Sequence, residues 1–94
     1  MPYIKAEDRV KVDKPMKDLL EYIRNHAITS GELNYIITSI CLEKILSMGI
    51  NYENINSITG TLGCVKSEFY RRLASPYEDE KIKENGDVYP TEGR

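Results

Sequence analysis

The sequence predicts an all-α fold: an antiparallel helical hairpin of residues 30–48 against 51–73, a third helix over 14–27 packed on it, and short terminal helices. Three observations carry this reading. Apolar residues recur at three-and-four spacing in three stretches, a side chain able to cap a helix stands before each, and glycine or proline follows where a pattern stops.

Asp13 is placed to cap the first main helix, with Lys14 and Pro15 in its opening turn, where a missing N–H costs nothing. Met16, Leu19, Leu20, Ile23 and Ala27 then share one face, and Asp18, Glu21, Arg24 and Asn25 the other. His26, near the end of that helix, complements its dipole rather than serving catalysis. Residues 1–12 read as an N-terminal arm with at most a short turn of helix over 6–10.

Thr29 and Glu32 have the reciprocal spacing of a capping box, so the second helix begins near Ser30 or Gly31. Leu33, Ile36, Ile37, Ile40, Cys41, Leu42, Ile45, Leu46 and Met48 give it so wide an apolar face that it should be central, and Gly49 stops it. The β-branched run would suit a strand. A strand ignores the cap, the stop and the length.

Asn51 caps the third helix, where Ile55, Ile58, Leu62, Val65 and Phe69 alternate steps of three and four in a heptad-like seam. Gly60 and Gly63 inside it each cost about 1 kcal/mol relative to Ala. Either close approach by a helix or ligand offsets that cost, or the helix kinks. Pro76 ends or bends this helix, a short final helix covers 77–83, Asn85-Gly86 supplies its turn, and residues 87–94 form a tail.

A chain of 94 residues with 40% hydrophobic and 30% charged content is a single soluble domain. Its own core leaves it marginal, so a homo-oligomer is expected. A net charge of −2 offers nothing to duplex nucleic acid, and no apolar run approaches the roughly 20 residues of a membrane span. The start of the chain lacks signal-peptide features, which places it in the cytoplasm with reduced, buried thiols at Cys41 and Cys64. Two isolated Cys and one His lack the spacing of a zinc site. No cofactor is expected.

The strongest polar cluster is Lys66, Tyr70, Arg71 and Arg72 with nearby Tyr77. Glu68 stands three residues before Arg71 and four before Arg72, so a surface salt network with Glu68 or with Glu78, Asp79 and Glu80 is one reading. The other is an anion site, in which guanidinium groups grip phosphate and tyrosine offers a stacking face and a hydroxyl. Seven Tyr against one Phe and no Trp suit half-wet surfaces of that kind. No phosphate loop, paired acidic helix motif or Ser-His or Cys-His arrangement accompanies the cluster, so an enzyme is not expected.

Four blocks carry a resemblance: Met1-Pro2-Tyr3-Ile4, Gly31-Glu32-Leu33-Asn34-Tyr35-Ile36-Ile37-Thr38, residues 64–72 (CVKSEFYRR), and residues 76–89 (PYEDEKIKENGDVY). They resemble the signature of a family of small uncharacterised bacteriophage and prophage proteins. Members commonly carry Glu-Cys where this chain has Gly63-Cys64. The resemblance implies a setting, the cytoplasm of an infected bacterium, and no activity. Together these readings give an expected non-enzymatic binding protein that sequesters a small anionic nucleotide used in immune signalling, an anti-defence sponge. The alternative is a protein-interaction or assembly factor acting on a phage or host protein.

Overall fold

The computed structural model describes residues 4–90, all helix and connection with no strand among them. The order is α1 (Ala6–Asn25), α2 (Ser30–Met48), α3 (Tyr52–Phe69), a π-helical turn (Tyr70–Ala74) and α4 (Ser75–Asn85). The chain groups into two units, residues 1–40 and 41–94, divided within α2.

In the first unit, α1 begins well before the expected cap. Lys5 precedes it without a side-chain cap, and its carbonyl accepts from the N–H groups of Asp8 and Arg9 at 3.0 and 3.1 Å. Glu7 and Asp8 complement the dipole in the first turn. Asp13 is therefore an interior residue, residues 6–12 are helix rather than arm, and Pro15 lies inside α1. Proline removes the N–H that would reach the Lys11 carbonyl. Lys11 is exposed, so water can satisfy that carbonyl, and a helix longer than the apolar pattern results. Of the extended arm expected over residues 1–5, residues 1–3 lie outside the described residues.

His26 ends α1 at extended angles. Its Nδ1 donates to the Tyr22 carbonyl at 2.8 Å, and its ring stacks on Tyr22 with centroids 4.0 Å apart. An orphan carbonyl of the last turn is thereby satisfied. The α2 start is the expected capping box: Thr29 N–H donates to Glu32 Oε1 at 2.9 Å and Glu32 N–H to Thr29 Oγ1 at 3.0 Å. The Thr29 backbone N–H, and after it the Thr29 hydroxyl, hold the Glu32 carboxyl below its usual range.

In the second unit, Gly49 leaves α2 at φ +99° while its N–H still bonds the Ile45 carbonyl. That left-handed conformation is the reason for glycine there. Asn51 Oδ1 then accepts from Asn54 N–H at 2.8 Å to cap α3. The Asn54 side chain turns back and donates to the Met48 and Gly49 carbonyls at 3.2 and 2.9 Å. One side chain in the first turn of α3 thus closes the end of α2.

The all-α class holds, and α2 has the expected bounds. No residue of the expected core is buried among the described residues. Leu33, Ile37, Ile40, Ile55, Leu62, Val65 and Phe69 all remain exposed, and of the proposed hairpin seams only Ile45 and Ile58 are half-buried. Met16 and Leu20 of α1 are exposed as well. The apolar residues of α2 encircle it, so a single neighbouring helix would leave part of that surface uncovered. Cys64 is exposed rather than buried, and Cys41 is half-buried. Gly60 and Gly63 sit in unbroken helix, and a Cβ at either would meet nothing within 4 Å. Neither close approach within the chain nor a break in α3 explains them.

Candidate functional site

Pro76 does not end the helix. In an α-helix its ring would strike the carbonyl four residues back, that of Arg72. The chain instead takes in one more residue per turn over Tyr70–Ala74, with Ser75 N–H donating to the Tyr70 carbonyl five residues back. Helix then resumes as α4 with Pro76 in its first turn, and continues to Gly86, whose φ of +82° and N–H bond to the Ile82 carbonyl close it. The π turn therefore carries the central residues of the candidate cluster.

Glu68, half-buried at the end of α3, gathers both arginines. Arg71 donates through Nη2 and Nε to Glu68 Oε2 at 2.9 and 3.3 Å, and Arg72 Nη1 lies 3.7 Å from Oε1. The Arg71 hydrogen bond, opposed by partial desolvation and assisted by the charges of both guanidiniums, holds the Glu68 carboxyl below its usual range. Both arginine side chains remain about two-thirds exposed, at 68% and 66%. Ion pairs this exposed are weak, so a stronger anion can displace the carboxylate.

Tyr70 donates its hydroxyl to Glu78 Oε1 at 2.8 Å. That bond, and then the carboxylate charge, raise the phenol above its ordinary pKa. Two ordinary α turns span about 7.2 residues, which would bring Tyr77 under Tyr70. The π turn adds about one residue, and Glu78 takes the place that Tyr77 would have held. Tyr77 faces elsewhere. Lys81 Nζ lies 5.5 Å from its ring centroid and pairs with Glu84 at 3.1 Å, and Tyr77 lines an open concavity of about 450 Å³ with Ile82, Asn85, Val88 and Tyr89.

The five expected residues are thus not one pocket. Arg71 and Arg72 converge on Glu68, Tyr70 is held by Glu78, Tyr77 belongs to the concavity of α4, and Lys66 stands exposed in the last turn of α3. Sequence reasoning missed Glu78 as the tyrosine's acceptor, since eight residues match two turns only where a π turn intervenes. It also missed Lys81 and Tyr89 beside Tyr77. A lysine four residues after a tyrosine in a helix was the available signal for the first. A second concavity, of about 460 Å³, lies at the start of α2 between Tyr22, Ile28, Gly31, Tyr35 and Ile36.

Among the described residues no group of three or more His, Cys, Asp or Glu is placed to hold a metal. No described helix is long and apolar enough to cross a membrane. The family model of a domain of unknown function, DUF6899, matches residues 1–88, and the chain belongs to that family. No curated protein and no solved structure matches it.

Proposed function

We propose that this DUF6899 protein is a phage-encoded, non-enzymatic binding protein that acts as a homo-oligomer in the cytoplasm of the infected bacterium and sequesters a small anionic nucleotide of immune signalling. One observation carries the reading: two arginines are held side by side by a single, weakly bound carboxylate on an exposed turn. A phosphate that displaces Glu68 meets two guanidinium groups already gathered, with Lys66 on the preceding turn adding charge. Tyr77 and Tyr89 on the neighbouring concavity offer aromatic faces for a base. The sole histidine is engaged by the Tyr22 carbonyl, which suits binding better than acid–base catalysis.

Titration calorimetry against cyclic di- and trinucleotides and ADP-ribose derivatives tests this. Heat with at least one member is expected, lost by tenfold or more in affinity in Arg71→Ala and Arg72→Ala, with the ligand recovered intact after denaturation. No heat with any member, or binding indifferent to both variants, sinks the reading. The exposed apolar seams favour a second reading, a protein-interaction or assembly factor. A phage or host protein co-purifying from infected cells, with no dependence on small ligands, would select it.

A further inference from the structure

The connection between α1 and α2 carries a concavity that the proposed function does not use. It encloses about 460 Å³, within the range of about 300–1,000 Å³ of small-ligand sites. Tyr22 reaches it from the last turn of α1, Ile28 from the connection, and Gly31, Glu32, Tyr35 and Ile36 from the first two turns of α2. All of its lining lies within the first unit. The capping box of Thr29 and Glu32 fixes the start of α2, and the bond from His26 to the Tyr22 carbonyl fixes the end of α1.

The lining has a chemical sign. Tyr35 stands three residues after Glu32 on α2, so ring and carboxylate share one side of the helix. His26 stacks on one face of Tyr22, which leaves the opposite face and the edge of that ring for a ligand. No lysine, arginine or histidine lines the concavity, and among the described residues no cation pairs with Glu32. The capping bond from the Thr29 N–H leaves the carboxylate further acceptor capacity. Aromatic faces and a carboxylate attract an ammonium and disfavour a phosphate. The chain displays the same combination at α4, where Lys81 Nζ lies 5.5 Å from the Tyr77 ring centroid and 3.1 Å from Glu84. At the start of α2 it supplies the rings and the carboxylate without an ammonium of its own.

Gly31 adds an independent observation. It is not among the positive-φ glycines, and a Cβ on it would meet only Thr29 Oγ1, at 3.7 Å, an ordinary contact. Neither backbone angle nor crowding demands glycine there, in a helical turn where alanine has the better propensity. The missing side chain keeps the concavity open. We propose that this concavity binds a small aliphatic amine, its ammonium held by Glu32 and the tyrosine rings and its hydrocarbon lying against Ile28 and Ile36. The site belongs to the first unit and Arg71 and Arg72 to the second, and the proposal is independent of the nucleotide.

Amide chemical shifts of the full chain, titrated with n-butylammonium chloride at constant ionic strength, test it. Neutral n-butanol and sodium acetate serve as the competing chemistries. Saturable shifts over residues 22–36 are expected with butylammonium, and binding about tenfold weaker or less with the other two. Glu32→Gln keeps the capping box, because Gln serves at that position as Glu does, and should weaken butylammonium about fivefold or more. Gly31→Ala should weaken it too, in a helix at least as stable as the parent's. Butanol or acetate binding as well as butylammonium overturns the proposal, as do shifts no larger than sodium chloride produces. An affinity unchanged in Glu32→Gln also overturns it. Should that variant lose the start of α2, Tyr35→Ala lies outside the cap and decides in its place: about a fivefold loss is expected, and an unchanged affinity is fatal. Nucleotide binding that depends on Arg71 and Arg72 would survive the failure of this site, and the failure of nucleotide binding would leave amine binding standing.

Discussion

The connection at residues 49–51 and the junction at Tyr70–Ala74 pose the same problem and solve it differently. At the first, the helix is stopped by an active device: Gly49 swings to positive φ, Asn51 caps the next helix, and Asn54 reaches back to the carbonyls of the last. At the second, a proline stands where a stop is expected, and the backbone widens by one residue and carries on. The difference shows that proline alone does not terminate a helix. A terminus forms where some group takes over the orphan carbonyls, and residues 70–76 contain neither a positive-φ residue nor an Asn side-chain amide to donate to them as Asn54 does.

The sharpest way to break this comparison is to remove the proline. Pro76→Ala restores an N–H four residues after Arg72 and frees the π turn to become α-helix, which should stabilise the helix by about 1–3 kcal/mol. Amide chemical shifts and hydrogen exchange would report it, along with release of the Tyr70 hydroxyl from Glu78. A π turn that persists unchanged in Pro76→Ala would mean that something other than proline maintains it.

Asn51→Ala should cost about 1 kcal/mol, the usual worth of an N-cap. A denaturant midpoint unchanged within error would show that the Asn54 bonds alone close the turn. The smallest effect belongs to the arginine pair. Glu68→Gln should shift the melting midpoint only slightly, and because the carboxyl is held below its usual range the sign follows. Its small contribution is present above the ordinary glutamate range and fades as pH falls through the lowered value. Parent and Glu68→Gln melts should therefore converge in acid; a gap that widens there would contradict the assignment.

The sequence was most legible where side chains bond to neighbouring backbone. Thr29 with Glu32, Asn51 with Asn54, Gly49 and Gly86 each act within a few residues, and each stands where its spacing indicated. Pro15 misled, and of the two readings of Pro76 the ending of the helix failed, because proline at the start of a helix and proline tolerated inside one look alike until the surrounding carbonyls are known. The seams were read correctly as apolar lines. What covers them is not a local property of the chain, and α2 needs more surface than one neighbouring helix provides. At the site, Glu68 followed from spacing, whereas the pairing of Tyr70 with Glu78 depends on a change of helical pitch that spacing cannot reveal.

The closing turn of α4 has a consequence for the chemical lifetime of the protein. Asn85-Gly86 is the dipeptide most exposed to deamidation, because an unhindered glycine nitrogen can attack the preceding side-chain amide and close a succinimide ring. Here that nitrogen is tied to the Ile82 carbonyl at 2.8 Å, and the glycine is held at φ +82°. While the helix end is formed, the nucleophile is occupied. Each opening of the last turn releases it, so the aspartate and isoaspartate that peptide mapping finds at position 85 would record how long α4 has spent frayed.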